Sequence, residues 1–361
     1  MELLAHYTFA VSNPEIDPDL DRAATKMVVQ TALAFPWLLY EILAISSRHL
    51  ATLVRPGGSG PRSAAFYRAQ ASQLQTQALH LFNRRGGSPG SDGMSSAIDE
   101  TNCAAAVLFS STLGRHLLAD TLEDLHLDRH RDDIDVLTSR SVGDGNEPEG
   151  PDSEAALDRY CRYLQVHLGL RAVASSSWSH LMESDLWPLI ALAGRIHTSR
   201  SAVRGTELRS LSRWVEGAEE EEQGARRNTR AAGAVGSHND EEEECRKTCL
   251  EAIDLLQIDL DESSPTGTSS SQHQQHQMTF TWPVRCPAKF GELIRQRSPR
   301  ALVVLAHYAV LLHRSRDLWP IGPSAPRFLQ VISDVLGPGE YEAQLEWPRA
   351  VVLEGRRHDQ S

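Results

Sequence analysis

The sequence predicts an all-α protein: a multi-helix bundle or orthogonal helical domain carrying disordered acidic and Ser/Gln-rich insertions. Three observations predict it. Apolar residues recur at spacings of three and four along most of the chain, the signature of amphipathic helices. Aromatics make up only 6% of the residues, and the alternating Val, Ile and Thr runs that a sheet would need are scarce. Glycine, proline and serine cluster between the periodic segments rather than inside them.

Residues 1–127 read as the N-terminal helical part. A helix is expected from Pro18 or Asp19 to about Ala34. Phe35-Pro36 ends it, because the residue before a proline is pushed out of the helical region, and Pro36 suits the first turn of the next helix, where no N–H is needed. That helix, to about Val54, carries Leu38, Ile42, Ile45 and His49 on one face. After the loop Arg55–Arg62 comes a helix from Ser63 to Phe82 with Tyr67, Ala71, Leu74, Ala78 and Leu81 in register. A Gly/Ser-rich loop follows, and Asp99 is placed to cap a helix through Cys103, Leu108, Phe109, Leu113 and His116.

Residues 128–152 read as a linker, and 153–200 as a helical hairpin of the same domain. Residues 201–244 read as a disordered acidic insert: Glu216–Glu244 holds ten acids and three bases, −7 of the chain's −12, and like-charge blocks of this kind resist packing. A helix is expected over 245–260 and a low-complexity linker over 261–278. The C-terminal part, 279–361, is helical again. Its run Ala301–His313 is apolar nearly all round, which marks a helix covered on most sides.

Composition excludes several classes. A chain of 361 residues suggests about two domains. A net charge of −12 argues against direct DNA binding, which needs excess Lys and Arg against the phosphates. Five scattered cysteines are no secreted disulfide framework and fit a reducing compartment. No membrane span is expected, since Ala301–Leu312 is far short of the ~20 apolar residues required. MELLAHYTFAV at the start lacks a basic segment and is not expected to be a secretory signal.

Catalytic and metal motifs are fragmentary. Gly86-Gly87-Ser88-Pro89-Gly90 matches G-x-S-x-G in letters, but a helix precedes it and a polar loop follows, where a nucleophile elbow needs strand, turn and helix. His126 and His130, at i and i+4, offer a metal only two nitrogens. Cys245 and Cys249 share a helix face without a second pair and read as buried small hydrophobes. Asp132-Asp133-Ile134-Asp135 is a fragment of a D-D-x-x-D motif in a linker-like setting. Arg226–Arg230 is briefly basic between acid runs. No phosphate-cradling glycine loop is present, so neither a metal nor any other cofactor is expected, and no enzymatic activity. The tryptophans are more informative. Trp37, Trp178, Trp187, Trp282, Trp319 and Trp347 fall at helix ends or beside prolines, where a large ring caps a core or lines an apolar site. His307, the polar group in the apolar helix beside Tyr308, reads as a core histidine bonded to a backbone carbonyl or as a ligand contact.

Several segments resemble the regulatory domain of fungal zinc-binuclear-cluster transcription factors, particularly the sterol uptake control protein type. They are MELLAHYTFAV, AFPWLLYEILAISSRHLA (Ala34–Ala51), AFYRAQASQLQTQALHLFN (Ala65–Asn83), ETNCAAAVLFSSTLGRHLLAD (Glu100–Asp120) and HLGLRAVASSSWSHLMESDLWPLI (His167–Ile190). The clearest is TFTWPVRCPAKFGELIRQRSPRALVVLAHYAVLLHRSRDLWPIG (Thr279–Gly322), followed by EWPRAVV (Glu346–Val352). The resemblance implies a helical domain that regulates RNA polymerase II transcription in the nucleus. It would bind an apolar, sterol-like small molecule and engage the transcription machinery or a partner transcription factor, with homodimer formation and a cytoplasmic inactive state as further expectations. A pocket on the C-terminal helices is then expected, and position nominates His307, Tyr308, Leu311, Leu312 and Trp319, with Trp178 from the hairpin. The family's six-cysteine zinc cluster has no counterpart in cysteines 103, 161, 245, 249 and 286, so this chain is not expected to touch DNA itself. A non-sensing helical dimerisation or interaction module is the alternative reading, and a helical terpenoid-type enzyme a third.

Overall fold

A computed structural model describes residues 1–11, 18–54, 62–84, 101–139, 153–176, 178–184, 186–187, 205–217, 237–263 and 272–354, with backbone alone at 126–139, 167, 170–176, 178, 237–239, 272–275 and 354. The described residues are all-α, with no strand among them. The helices are α1 (Glu2–Ala10), α2 (Pro18–Ala34), α3 (Pro36–Leu53), α4 (Ala64–Arg84), α5 (Cys103–Ser139), α6 (Ser153–Ser176) and α7 (Trp178–Glu183). They continue as α8 (209–217), α9 (Ser237–Glu262), α10 (Gln272–Arg285), α11 (Ala288–Arg295), α12 (Pro299–Arg314), α13 (Ala325–Leu336) and α14 (Glu342–Arg349). No described helix is long and apolar enough to cross a membrane. The chain divides into two compact units. Unit 1 holds Met1–Asp120, Gln165–Ser199 and Leu318–Pro320; unit 2 holds Thr121–Leu164, Arg200–Asp317 and Ile321–Ser361.

In unit 1, α3 packs most extensively on α4 and also meets α1 and α2. Phe35, at φ −122°, is extended, and Pro36 takes the first turn of α3, which is why α2 stops at Ala34. Leu38, Ile42 and Ile45 face the core as their spacing requires. The core closes on three rings: Trp37 meets Phe82 and Phe109 edge-on at 5.2 and 5.3 Å, and Phe82 stacks on Phe109 at 4.4 Å. Such pairs add about 0.5–1.5 kcal/mol each beyond the area they bury.

Unit 2 is built around α12. Every residue from Ala301 to His313 is buried, as its continuous apolar surface demands, and α9, α10, α11, α13 and α14 cover it. Pro299 occupies its first turn. Beside it lies an aromatic cluster: Trp282 stacks on Tyr308 at 4.7 Å, and Tyr160 meets Phe328 edge-on at 5.0 Å.

Three segments differ from expectation. α5 runs on to Ser139, through the first half of the 128–152 linker, because no glycine or proline interrupts residues 115–142. The acidic insert 201–244 contains α8 and the first turns of α9. The run Glu241–Glu244 is helical there because cations discharge it: Glu242 pairs with Arg300, Glu243 with Arg246 and Glu244 with Lys289. α10 begins at Gln272, inside the 261–278 linker, since glutamine is a good helix former. Gly86–Gly90, Asp99 and Arg226–Arg230 lie outside the described residues, as do the side chains of His126, His130, Asp132, Asp133 and Asp135.

Candidate functional site

The nominated residues fall in both units. His307, Tyr308, Leu311 and Leu312 lie on α12 in unit 2, and none is more than 3% exposed. Trp319 belongs to unit 1, and the side chain of Trp178 lies outside the described residues.

On α12 each polar candidate is engaged by protein. Pro283 sits inside α10 and has no N–H, so the carbonyl of Thr279, four residues back, loses its helical donor. Tyr308 supplies the missing bond, its hydroxyl donating to Thr279 O at 2.8 Å. The Thr279 hydroxyl in turn donates to Leu311 O at 3.2 Å and lies 2.7 Å from Ser315 Oγ. Trp282 donates its indole N–H to Ala252 O at 3.1 Å. The Trp-Pro step therefore docks α10 on both α9 and α12. Tyr308→Phe is expected to cost about 1–3 kcal/mol, because it strands a buried carbonyl. Urea denaturation of the variant measures it, and an unchanged midpoint would contradict this role.

His307 places Nδ1 2.8 Å from Val303 O, to which it donates, and stacks on Trp347 at 5.7 Å. Burial pushes its pKa down to about 4, against the hydrogen bond to Val303, which raises it. The unfolded chain takes up a proton near pH 6.5 that the native state refuses until about pH 4. The stability contribution is therefore whole above pH 6.5 and falls by about 3 kcal/mol as the pH drops through that window. His307→Phe is expected to keep the stacking and to flatten this part of the profile. Denaturation midpoints at pH 7 and 4.5 test it: an acid sensitivity equal to wild type would contradict the assignment.

Unit 1 holds a polar constellation that the sequence reading passed over. Glu41 and His116, both fully buried, meet at 3.0 Å between Oε1 and Nδ1, and the Gln75 amide nitrogen lies 3.0 Å from the same ring nitrogen. The other ring nitrogen is 3.5 Å from Asp120 Oδ2. Arg48 donates to Asp120 Oδ1 at 2.6 Å and to Ala119 O at 3.0 Å. Burial opposes a charge on His116, but the Glu41 hydrogen bond and the Glu41 and Asp120 charges outweigh it and raise its pKa. Alongside, His49 Nδ1 lies 3.1 Å from His6 Nε2, and its ring lies 4.9 Å from that of Trp319. Burial first, then His6 and Arg48, press His49 down to about 4. The hydroxyl of Ser46 donates to Leu3 O and that of Ser47 to Tyr67 O. These bonds tie α3 to α1, α4 and α5. The signal was present in the sequence: Glu41 and Arg48 interrupt an apolar stretch seven residues apart, and His116 and Asp120 stand at i and i+4, so each pair shares a helix face.

A cleft of about 340 Å³ also opens on unit 1, framed by Leu3, Leu43, Phe66 and Tyr67, with Glu2 and Arg62 paired there at 3.7 Å. Its size is at the low end of the range for ligand sites. Among the described residues no group of three or more His, Cys, Asp or Glu is arranged to hold a metal ion. Comparison with protein-family models, with curated proteins and with solved structures gives no match.

Proposed function

We propose that the chain is a transcription-regulatory helical domain of the fungal type its segments resemble, working in the nucleus on the transcription machinery or a partner transcription factor. It performs no catalysis of its own in this reading, and its charge of −12 argues against direct DNA contact by this chain. The observation that carries the proposal is the ordered set of resembling segments. Physical support comes from the clearest of them, Thr279–Gly322, which supplies half of α10 and all of α11 and α12 at the centre of unit 2.

Sensing of an apolar, sterol-like ligand is the finer part of the proposal. A ligand shifts a two-state equilibrium only through its different affinity for the two states. With His307, Tyr308, Leu311 and Leu312 at most 3% exposed, a ligand reaching them would bind a state in which the covering helices have parted. A second reading, a helical interaction or dimerisation module that senses nothing, is favoured by the burial of those same four residues.

Tethering tests the regulatory role. Fused to an unrelated DNA-binding domain in a fungal cell, the chain is expected to change reporter output relative to that domain alone at equal abundance. Equal output would contradict the proposal. A rise in melting temperature with sterol-loaded cyclodextrin over empty cyclodextrin supports sensing, and no rise supports the second reading.

A further inference from the structure

The cleft on unit 1 is formed by α1, α3 and the start of α4, and three serines fix its walls. Ser46 donates to Leu3 O at 2.7 Å, which holds the first turn of α1 against α3. Ser47 donates to Tyr67 O at 2.9 Å. Ser63 caps α4, its Oγ accepting from the Phe66 N–H at 3.2 Å, and so sets the turn that follows Arg62. Leu3 and Leu43 are half-buried, while Phe66 stays 43% exposed and meets Tyr67 edge-on at 5.4 Å. Along α4 the polar groups of the cleft lie on either side of Phe66. Before it, Arg62 and Glu2 stand 3.7 Å apart, with side chains 76% and 60% exposed. That is too long for a hydrogen bond, and an exposed pair of this kind is worth little to the fold, so both charges remain open to a ligand. Beyond Phe66, Gln70 places its Oε1 3.0 Å from Ser47 Oγ. Its amide nitrogen makes no hydrogen bond among the described residues, and neither does the hydroxyl of Tyr67, a residue only 6% exposed. Gln70 lies six residues into α4, about 9 Å along the helix axis from its first residue.

We propose that this cleft binds a free aromatic amino acid that carries a polar ring atom. The carboxylate pairs with Arg62 and the ammonium with Glu2. The ring lies against Leu3, Leu43 and Phe66, and its polar atom reaches Gln70 or the Tyr67 hydroxyl. Charge complementarity selects this occupant. A simple anion would be repelled by Glu2 and a simple cation by Arg62, whereas a zwitterion matches both. The spacing selects it as well, since one end of the ligand must be ionic and the other polar, with an apolar body between them. A cleft of about 340 Å³ has room for one small molecule of this kind. The site uses no residue of α12, and it stands whether or not the chain regulates transcription.

Calorimetric titration of the whole chain with L-tryptophan tests the proposal. Saturable binding is expected with a Kd of about 1 mM or tighter, as befits a ligand of this size. Tryptamine lacks the carboxylate, indole-3-propionate lacks the ammonium, and N-acetyl-L-tryptophan amide lacks both charges. Each is expected to bind about 5-fold more weakly or worse. Glu2→Gln and Arg62→Gln are each expected to weaken L-tryptophan by about 5-fold, and Phe66→Ala is expected to weaken it as well. All three side chains are exposed, so melting temperatures are expected to stay near wild type. Arg22→Gln, at an exposed arginine of α2 that pairs with Asp19, is expected to leave binding unchanged. No saturable binding up to about 10 mM would overturn the proposal, as would binding that the three cleft variants leave intact. Equal affinity for tryptamine or indole-3-propionate would contradict the zwitterion. Equal affinity for the N-acetyl amide would also overturn it, assigning the cleft instead to an aromatic side chain of a protein partner.

Discussion

Glu41→Ala is expected to destabilise unit 1 by about 3–5 kcal/mol, the usual cost of removing one partner from a buried, hydrogen-bonded charge pair. Glu41 and His116 have no exposed side-chain surface, so water cannot replace the missing carboxylate. What remains is an imidazole facing the Gln75 amide and, at 3.5 Å, Asp120. The pH dependence distinguishes this from simple loss of volume. The pKa of His116 is raised in the native state, so its contribution is fully present below the unfolded value near 6.5 and is lost as the pH rises through the folded pKa. The penalty for Glu41→Ala is therefore expected to be largest in mildly acidic solution and to shrink as the pH rises. The paired replacement Glu41→Leu with His116→Leu is expected to cost much less than the two single changes added together, because neither charge is left alone. Urea denaturation at several pH values, with hydrogen exchange in α3 and α5 to assign the loss to unit 1, checks it. A pH-independent penalty would contradict the pairing.

Trp282→Ala is expected to cost about 3–5 kcal/mol in unit 2. The ring has no exposed surface, stacks on Tyr308 and meets Phe290 edge-on at 5.6 Å. Removing it leaves a void between α10 and α12, and it strands Ala252 O. Trp282→Phe should restore part of the loss. Trp187→Ala, at a site 38% exposed, is expected to cost clearly less than Trp282→Ala. Equal effects at the two tryptophans would contradict the distinction drawn between them.

The helical fold was legible because its boundaries are written in local chemistry. Pro18, Pro36 and Pro299 each open a helix, and the all-apolar surface of α12 predicts its burial without knowledge of its neighbours. What composition misjudged was the acidic start of α9. Its charges are met by Arg300 and Lys289, residues some 45–60 positions away in sequence, and no window along the chain reveals such pairing. The nominated site shows the same limit. The burial of Tyr308 could be read from its helix, but its bond to the carbonyl freed by Pro283 joins residues 29 apart. Trp319 follows α12 by only a few residues yet belongs to the other unit. The Glu41–His116 pair was passed over because charged residues in an apolar run read as interruptions rather than as two halves of one contact.

The burial of α12 meets its most direct test in native-state hydrogen exchange. The amides of Ala301–His313 are expected to be the slowest in unit 2 and to exchange only through its global unfolding, with the same denaturant dependence as the unfolding transition. Exchange of these amides by local opening, at a lower free energy than those of α9 and α10, would contradict the covered-core assignment and favour a helix that parts readily from its neighbours to admit a ligand.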